Sequence, residues 1–184
     1  MPSTLFIIGN PEPQQSHFAQ YLIQSIEDKG HDCLILKDAA NDSMHFSETS
    51  LNRMRQLMES AQSIVLHVPV YWYAAPALVK SWMDQILSPG WAFPSSKSAI
   101  AGKPIALSLT TGSAVESYQS GASNRANLED YFLPYRRSFE YCGMAWRGLI
   151  GKQFPSQDIV KETELKARVE AHTEALLRLV NEPA

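Results

Sequence analysis

Three short stretches of the chain bring together side chains that could do chemistry, and each follows an apolar run. In the first, Asn10-Pro11-Glu12-Pro13-Gln14-Gln15-Ser16-His17, a hydroxyl and an imidazole arrive at the start of a helical pattern. Free N–H groups and the helix dipole favour an anion there. Taken alone, Ser16 and His17 fit equally well an N-cap serine beside a surface histidine. The stretch has no GxGxxG pattern and no Walker lysine, which disfavours nucleoside triphosphates and leaves a monophosphate as the better fit.

The second stretch is Pro69-Val70-Tyr71-Trp72-Tyr73-Ala74-Ala75-Pro76. Its aromatics could flank a planar ring system while the N–H groups between them meet the ring's polar edge. Core or dimer packing is the ordinary role of aromatics, but three adjacent side chains in a loop cannot all face one core. The third stretch, Thr110-Thr111-Gly112-Ser113, is small and polar. Gly112 allows close backbone approach to a ligand, and N–H groups here could donate to ring atoms that gain electron density on reduction. By itself the stretch is also an ordinary turn.

These loops need elements to hold them. Residues 4–9, 32–37, 63–68, 104–109 and 146–150 read as strands, the first, third and fourth as continuous apolar runs suited to a parallel sheet covered on both faces. Helical spacing follows Ser16 to about Lys29-Gly30, over 51–58, after Pro76 to about Ser88, over 128–141 and over 158–180. The alternation predicts an α/β fold, a doubly wound five-stranded parallel sheet of the flavodoxin-like order, in one domain over residues 1–184. In that order ligands sit beyond the carboxyl ends of the strands, at the switch point between the first and third. The loops after Gly9, Val68 and Leu109 are therefore the ones to hold a ligand.

Composition narrows the partners. A formal charge of −3 over 184 residues supplies no basic field for phosphate backbones or anionic lipid, so no nucleic-acid partner is expected. The apolar runs are strand-length, short of the roughly 20 residues a membrane-spanning helix needs, and no export signal is apparent. A cytoplasmic protein is expected. Cys33 and Cys142 lie far apart without metal-ligand spacing, and no metal site is suggested.

The run Val68-Pro69-Val70-Tyr71-Trp72-Tyr73-Ala74-Ala75-Pro76-Ala77-Leu78-Val79-Lys80-Ser81-Trp82-Met83-Asp84, with Gly90-Trp91-Ala92-Phe93 and Thr110-Thr111-Gly112-Ser113, resembles the flavodoxin-like NAD(P)H:quinone oxidoreductases. These include DT-diaphorase and the ancillary oxidoreductases of glutathione-gated potassium-efflux systems. The resemblance runs from the first strand to about Trp146. It implies an FMN whose phosphate is held by Ser16, His17 and the following helix, with Asn10 where relatives usually carry histidine. It implies further that Val70, Tyr71, Trp72 and Tyr73 border the isoalloxazine, and that Thr110, Thr111, Gly112 and Ser113 hold its pyrimidine edge, Ser113 replacing a family glycine. FAD is the alternative cofactor, although the chain has no obvious extra segment for an adenine half.

By the same resemblance Tyr118 is the catalytic residue, a phenol able to hydrogen-bond to a quinone oxygen, while Ser123-Asn124 stands in the neighbourhood of its usual histidine partner. The implied reaction is a ping-pong, two-electron transfer of hydride from NADPH or NADH to flavin N5 and on to a quinone or similar acceptor. A homodimer is implied, and Trp91 and Phe93 are expected either as a lid over the slot or as a loop tucked onto the domain. A different class stays open: a flavin-binding regulatory subunit of a potassium-efflux transporter, with turnover secondary. A one-electron flavodoxin carrier ranks lower. His45, His67 and His172 read as polar or core residues.

Overall fold

The computed structural model describes residues 3–154 and 161–182. Five strands, β1 (Thr4–Ile8), β2 (Asp32–Ile35), β3 (Ser63–Pro69), β4 (Pro104–Thr111) and β5 (Ala145–Gln153), alternate with helices. The helices are α1 (His17–Asp28), α2 (Leu36–Ala39), α3 (Glu48–Ser60), α4 (Ala77–Ile86), α5 (Leu128–Tyr131), α6 (Leu133–Tyr141) and α7 (Glu162–Asn181). The strands form one parallel sheet in the order β2-β1-β3-β4-β5, so the α/β flavodoxin-like expectation holds.

The apolar runs explain the layering. Alternate residues of β1, β3 and β4 point to opposite faces, and each face is sealed by its own helices. Phe6, Ile8, Val65 and Ala106 pack with Phe18, Leu22 and Ile26 of α1 and Val169, Leu176 and Val180 of α7. On the other face Leu5, Ile7, Leu66, Leu107 and Leu109 meet Met54 of α3, Val79 and Trp82 of α4 and Phe139 of α6. Fully buried side chains such as Leu22 and Ile26 each contribute on the order of 1.5–3 kcal/mol.

At the switch point β1 is followed by Gly9, where a Cβ would stand 2.4 Å from Val79 Cγ2 and 2.9 Å from Val68 Cγ1. No larger residue fits between β1 and α4. The loops after β1 and β3 are thereby brought side by side.

Several boundaries differ from the sequence reading. β2 stops at Ile35 because Leu36, fully buried, opens the one-turn α2. Thr110 and Thr111 are not loop residues but the last two of β4, paired with Lys152 and Gln153. The helix expected over 128–141 is two, separated at Phe132, since Pro134 has no N–H with which to continue the first. The last helix is described from Glu162, and residues 158–160 of its expected start lie outside the described residues. β5 runs longer than expected, with Arg147 bulged out of register before Gly148 (φ 120°).

Candidate functional site

The three loops singled out in the sequence converge at the carboxyl ends of β1, β3 and β4. Asn10 is buried, and its Oδ1 accepts the Glu12 N–H at 2.9 Å, which shapes the loop after β1. A short 3-10 turn, Pro13–Gln15, leads into Ser16, the N-cap of α1, whose Oγ accepts the Ala19 N–H at 3.2 Å. The first turn of α1 has no acidic residue. The N–H groups of His17 and Phe18 have no hydrogen-bond partner among the described residues, and His17 is exposed. The end of α1 is therefore open to an anion.

After β3 the chain makes a two-residue turn. Val70 N–H donates to Thr110 O at 2.8 Å, and Tyr71 and Ala74 exchange N–H···O bonds of 2.9 and 3.1 Å. Trp72 (φ 49°) and Tyr73 (φ 65°) both occupy left-handed backbone, the conformation of a type I′ turn, which ordinarily takes Asn-Gly. Two aromatics held this way cost on the order of 1–3 kcal/mol each. The turn is anchored by Ala75 N–H, which donates to the buried Tyr135 hydroxyl at 3.1 Å, and Pro76 then begins α4 as its N-cap.

The three rings of this turn splay apart. Val70 packs on the larger core. Tyr71 walls a cleft of about 390 Å³ shared with Lys37, Met44 and Pro76. Trp72 is 95% exposed. Tyr73 lies against Tyr131, ring centroids 4.9 Å apart at 30°. An aromatic so exposed on a strained turn does nothing for the core.

Beyond β4, Thr111 Oγ1 donates to Ser113 O at 2.8 Å and Phe154 N–H to Thr111 O at 3.1 Å. These bonds fix the turn on which Gly112 and Ser113 are exposed. A Cβ at Gly112 would meet nothing within 4 Å, so the glycine answers no packing need of the chain itself. Tyr118 follows the 3-10 turn Val115–Ser117, its ring edge-on to Tyr131 at 6.4 Å. Burial, then the neighbouring Tyr73, pushes its phenol above the usual range, against the pull of a hydrogen bond with Ser113. At neutral pH it is an O–H donor.

Sequence reasoning missed the groups that brace this end. Asn124 Nδ2 donates to Ser117 Oγ at 2.6 Å, and Tyr131 Oη donates to Asn124 O at 2.6 Å. Tyr135 was hidden inside a helical pattern. The one available signal was the Asn127-to-Asp130 capping box, which fixes the start of α5 and so the place of Tyr131.

Trp91 and Phe93 form no lid over the loops after β1, β3 and β4. α4 carries the chain from the carboxyl to the amino end of the sheet. There Trp91 Nε1 donates to Glu59, at the end of α3, at 2.5 Å, with the Arg55 guanidinium 5.7 Å from its ring. Phe93 sits near Tyr141 at the end of α6. The tucked-loop alternative is the one observed. His67 and His172, read as polar or core residues, are buried and joined through Ser108 Oγ at 2.9 and 2.8 Å.

A family model described as a flavodoxin-like fold matches residues 2–179. The glutathione-regulated potassium-efflux system ancillary protein KefG of Serratia proteamaculans is 31% identical over 145 residues, 79% of this chain and 78% of that protein. General stress protein 14 of Bacillus subtilis is 38% identical over 92 residues, so the chain matches 53% of that protein's length. In fold, the chain is similar to a general stress protein 14 from Treponema denticola solved in complex with FMN, with a TM-score of 0.81, 21% identity and 98% of each chain covered. It is also similar to an NADPH-quinone reductase from P. pentosaceus, with a TM-score of 0.80, 21% identity, and 95% and 97% covered.

Proposed function

The chain belongs to the flavodoxin-like family, and from that premise we propose that it is a cytoplasmic FMN-dependent NAD(P)H:quinone oxidoreductase. The observation that carries this is the arrangement at one end of the sheet: an open helix N-terminus, a 95% exposed Trp72 on a strained turn, and an open Gly112. The residues fit the cofactor. The N–H groups of His17 and Phe18 suit a phosphate, Trp72 and Tyr73 suit the flat ring, and the Gly112 turn leaves room for its edge. Similarity to proteins named for FMN and quinone reduction supports the reading.

When bound, FMN would supply two-electron redox chemistry between NADPH or NADH and a quinone. The chain's own residues do the rest. Ser16 and the first turn of α1 anchor, the aromatic turn orients and excludes water on one side, and Tyr118 holds a proton at Oη for the acceptor oxygen. Donor and acceptor use one slot in turn, so the kinetics are ping-pong. A second subunit is part of the proposal, because a slot bordered by so exposed a tryptophan stays open to water in one chain alone.

KefG similarity over 79% of the chain favours one further reading, an FMN-holding ancillary subunit on a potassium-efflux transporter. The test is an anaerobic spectrum after FMN reconstitution, with NADPH or NADH added and then a quinone. Flavin bands that bleach and return establish the enzyme. Bands that persist favour the ancillary role, and a protein that takes up no flavin overturns both.

A further inference from the structure

Two separate turns face the proposed slot, the aromatic turn after β3 and the turn after β4 that carries Tyr118. Asn124 joins them through hydrogen bonds. Asn124 Nδ2 donates to Ser117 Oγ at 2.6 Å, and Asn124 N–H donates to Ser117 O at 3.1 Å. Ser117 Oγ in turn donates to Ala114 O at 2.6 Å, so the 114–118 turn is closed on itself and bolted to Asn124. On the other side Asn124 Oδ1 accepts from the Tyr73 hydroxyl at 3.4 Å, and its carbonyl accepts from the Tyr131 hydroxyl at 2.6 Å. Tyr131 lies between the other two rings, stacked on Tyr73 and edge-on to Tyr118.

Both the donor and the acceptor of the Asn124 amide, and both of its backbone groups, are thus engaged within the protein. The following residue, Arg125, is held at φ 63°, so the chain tolerates left-handed backbone to make the connection. An arrangement that uses every polar group of one residue to tie two loops together has a geometric purpose. We infer that Asn124 is a positioning residue, which fixes Tyr118 relative to the aromatic turn and so sets where the phenol meets an acceptor. The inference rests on the quinone-reductase reading and deepens it.

Asparagine suits the task because it donates and accepts at once. Aspartate would keep the acceptor for Tyr73 but lose the donor to Ser117. An amide carries no proton to transfer in the working pH range, so Asn124 acts through place alone. A proton relay from Tyr118 into this side chain does not exist.

The test uses the full-length protein with FMN and menadione, comparing wild type with Asn124→Ala, Asn124→Asp and Ser117→Ala. Asn124→Ala should raise the KM for menadione and slow re-oxidation of the reduced protein about tenfold, since misplacement of this order costs 10- to 100-fold. Reduction by NADPH should change less than about twofold, because it makes no use of Tyr118. Asn124→Asp should recover part of the loss, and Ser117→Ala, which removes one arm only, should move the same way by less.

A second readout needs no flavin: NMR titration of isotopically labelled tyrosine ring carbons, with Tyr118→Phe assigning the signal. The groups that face this phenol are Tyr73, Tyr131 and Ser113. Asn124→Ala should lower its titration point toward the ordinary tyrosine range as the turn opens to water. An unmoved titration, or half-reactions slowed in equal proportion, would overturn the inference. A wild type that takes up no flavin while the titration still moves would sink the quinone-reductase reading and leave the positioning role standing.

Discussion

The ring of Tyr73 stacks on the ring of Tyr131, centroids 4.9 Å apart at 30°, and so ties the strained turn after β3 to the one-turn helix α5. The contact tethers one side of the aromatic turn while its neighbour Trp72 stays exposed. Strain in the turn and exposure at its tip belong together.

Relief of that strain should separate stability from binding. Trp72→Gly removes an exposed side chain from φ 49°, and the flavin-free protein should gain about 0.5–1 kcal/mol by urea unfolding. FMN affinity should fall at least about tenfold, as expected when a stacking ring is lost. A variant that lost stability and kept its FMN affinity would remove Trp72 from the cradle.

Ser16→Ala deletes the N-cap bond to Ala19 and should cost about 1 kcal/mol of stability. Comparing FMN with riboflavin isolates the phosphate. If the start of α1 is its seat, calorimetric titration should show FMN affinity falling and riboflavin affinity unchanged.

Tyr118→Phe leaves the ring and removes the proton. Flavin occupancy should hold while quinone reduction slows about 10- to 100-fold. Stopped-flow absorbance should place the loss in re-oxidation, and unchanged re-oxidation would take Tyr118 out of the reaction.

The buried histidines give the fold an acid sensitivity. Burial, then the nearby His172, pushes His67 down to about 3, and burial, then Lys152, pushes His172 down to about 4. Unfolded, both titrate near 6.5, so below that pH the unfolded chain binds protons that the folded chain refuses. Stability should be fully present above about pH 6.5 and should fall as pH drops toward 4, by up to about 1.4 kcal/mol per pH unit for each histidine. Urea unfolding at a series of pH values checks this, and His172→Leu should flatten the slope. A slope that His172→Leu leaves unaltered would locate the sensitivity elsewhere.

The strand order and the three loops that converge after β1, β3 and β4 were legible in the sequence because apolar runs and turn residues are local signals. Gly9, Ser16, the aromatic triplet and Gly112 could be read this way. The contacts that brace the site were not. Tyr131 sits in what reads as the first turn of one long helix, and nothing local shows that Pro134 breaks that helix or that Tyr73 will lie beside it. The place of Trp91 was equally hidden, since it follows from α4 carrying the chain to the far end of the sheet, where Glu59 and Arg55 wait. Tyr71 shows the limit in miniature: its type was informative, its direction was not.

The sheet's two faces are packed separately, Phe18 and Leu22 of α1 on one, and Val79, Tyr135 and Leu128 on the other. The open start of α1 grows from the first core, and the aromatic turn with its Tyr131 brace grows from the second. A mononucleotide reaching from one to the other would hold both halves as a strap does. Changes in the second core could then reshape the acceptor slot while the anchoring end is left alone, so that one scaffold could serve a range of acceptors without relearning how to hold its cofactor.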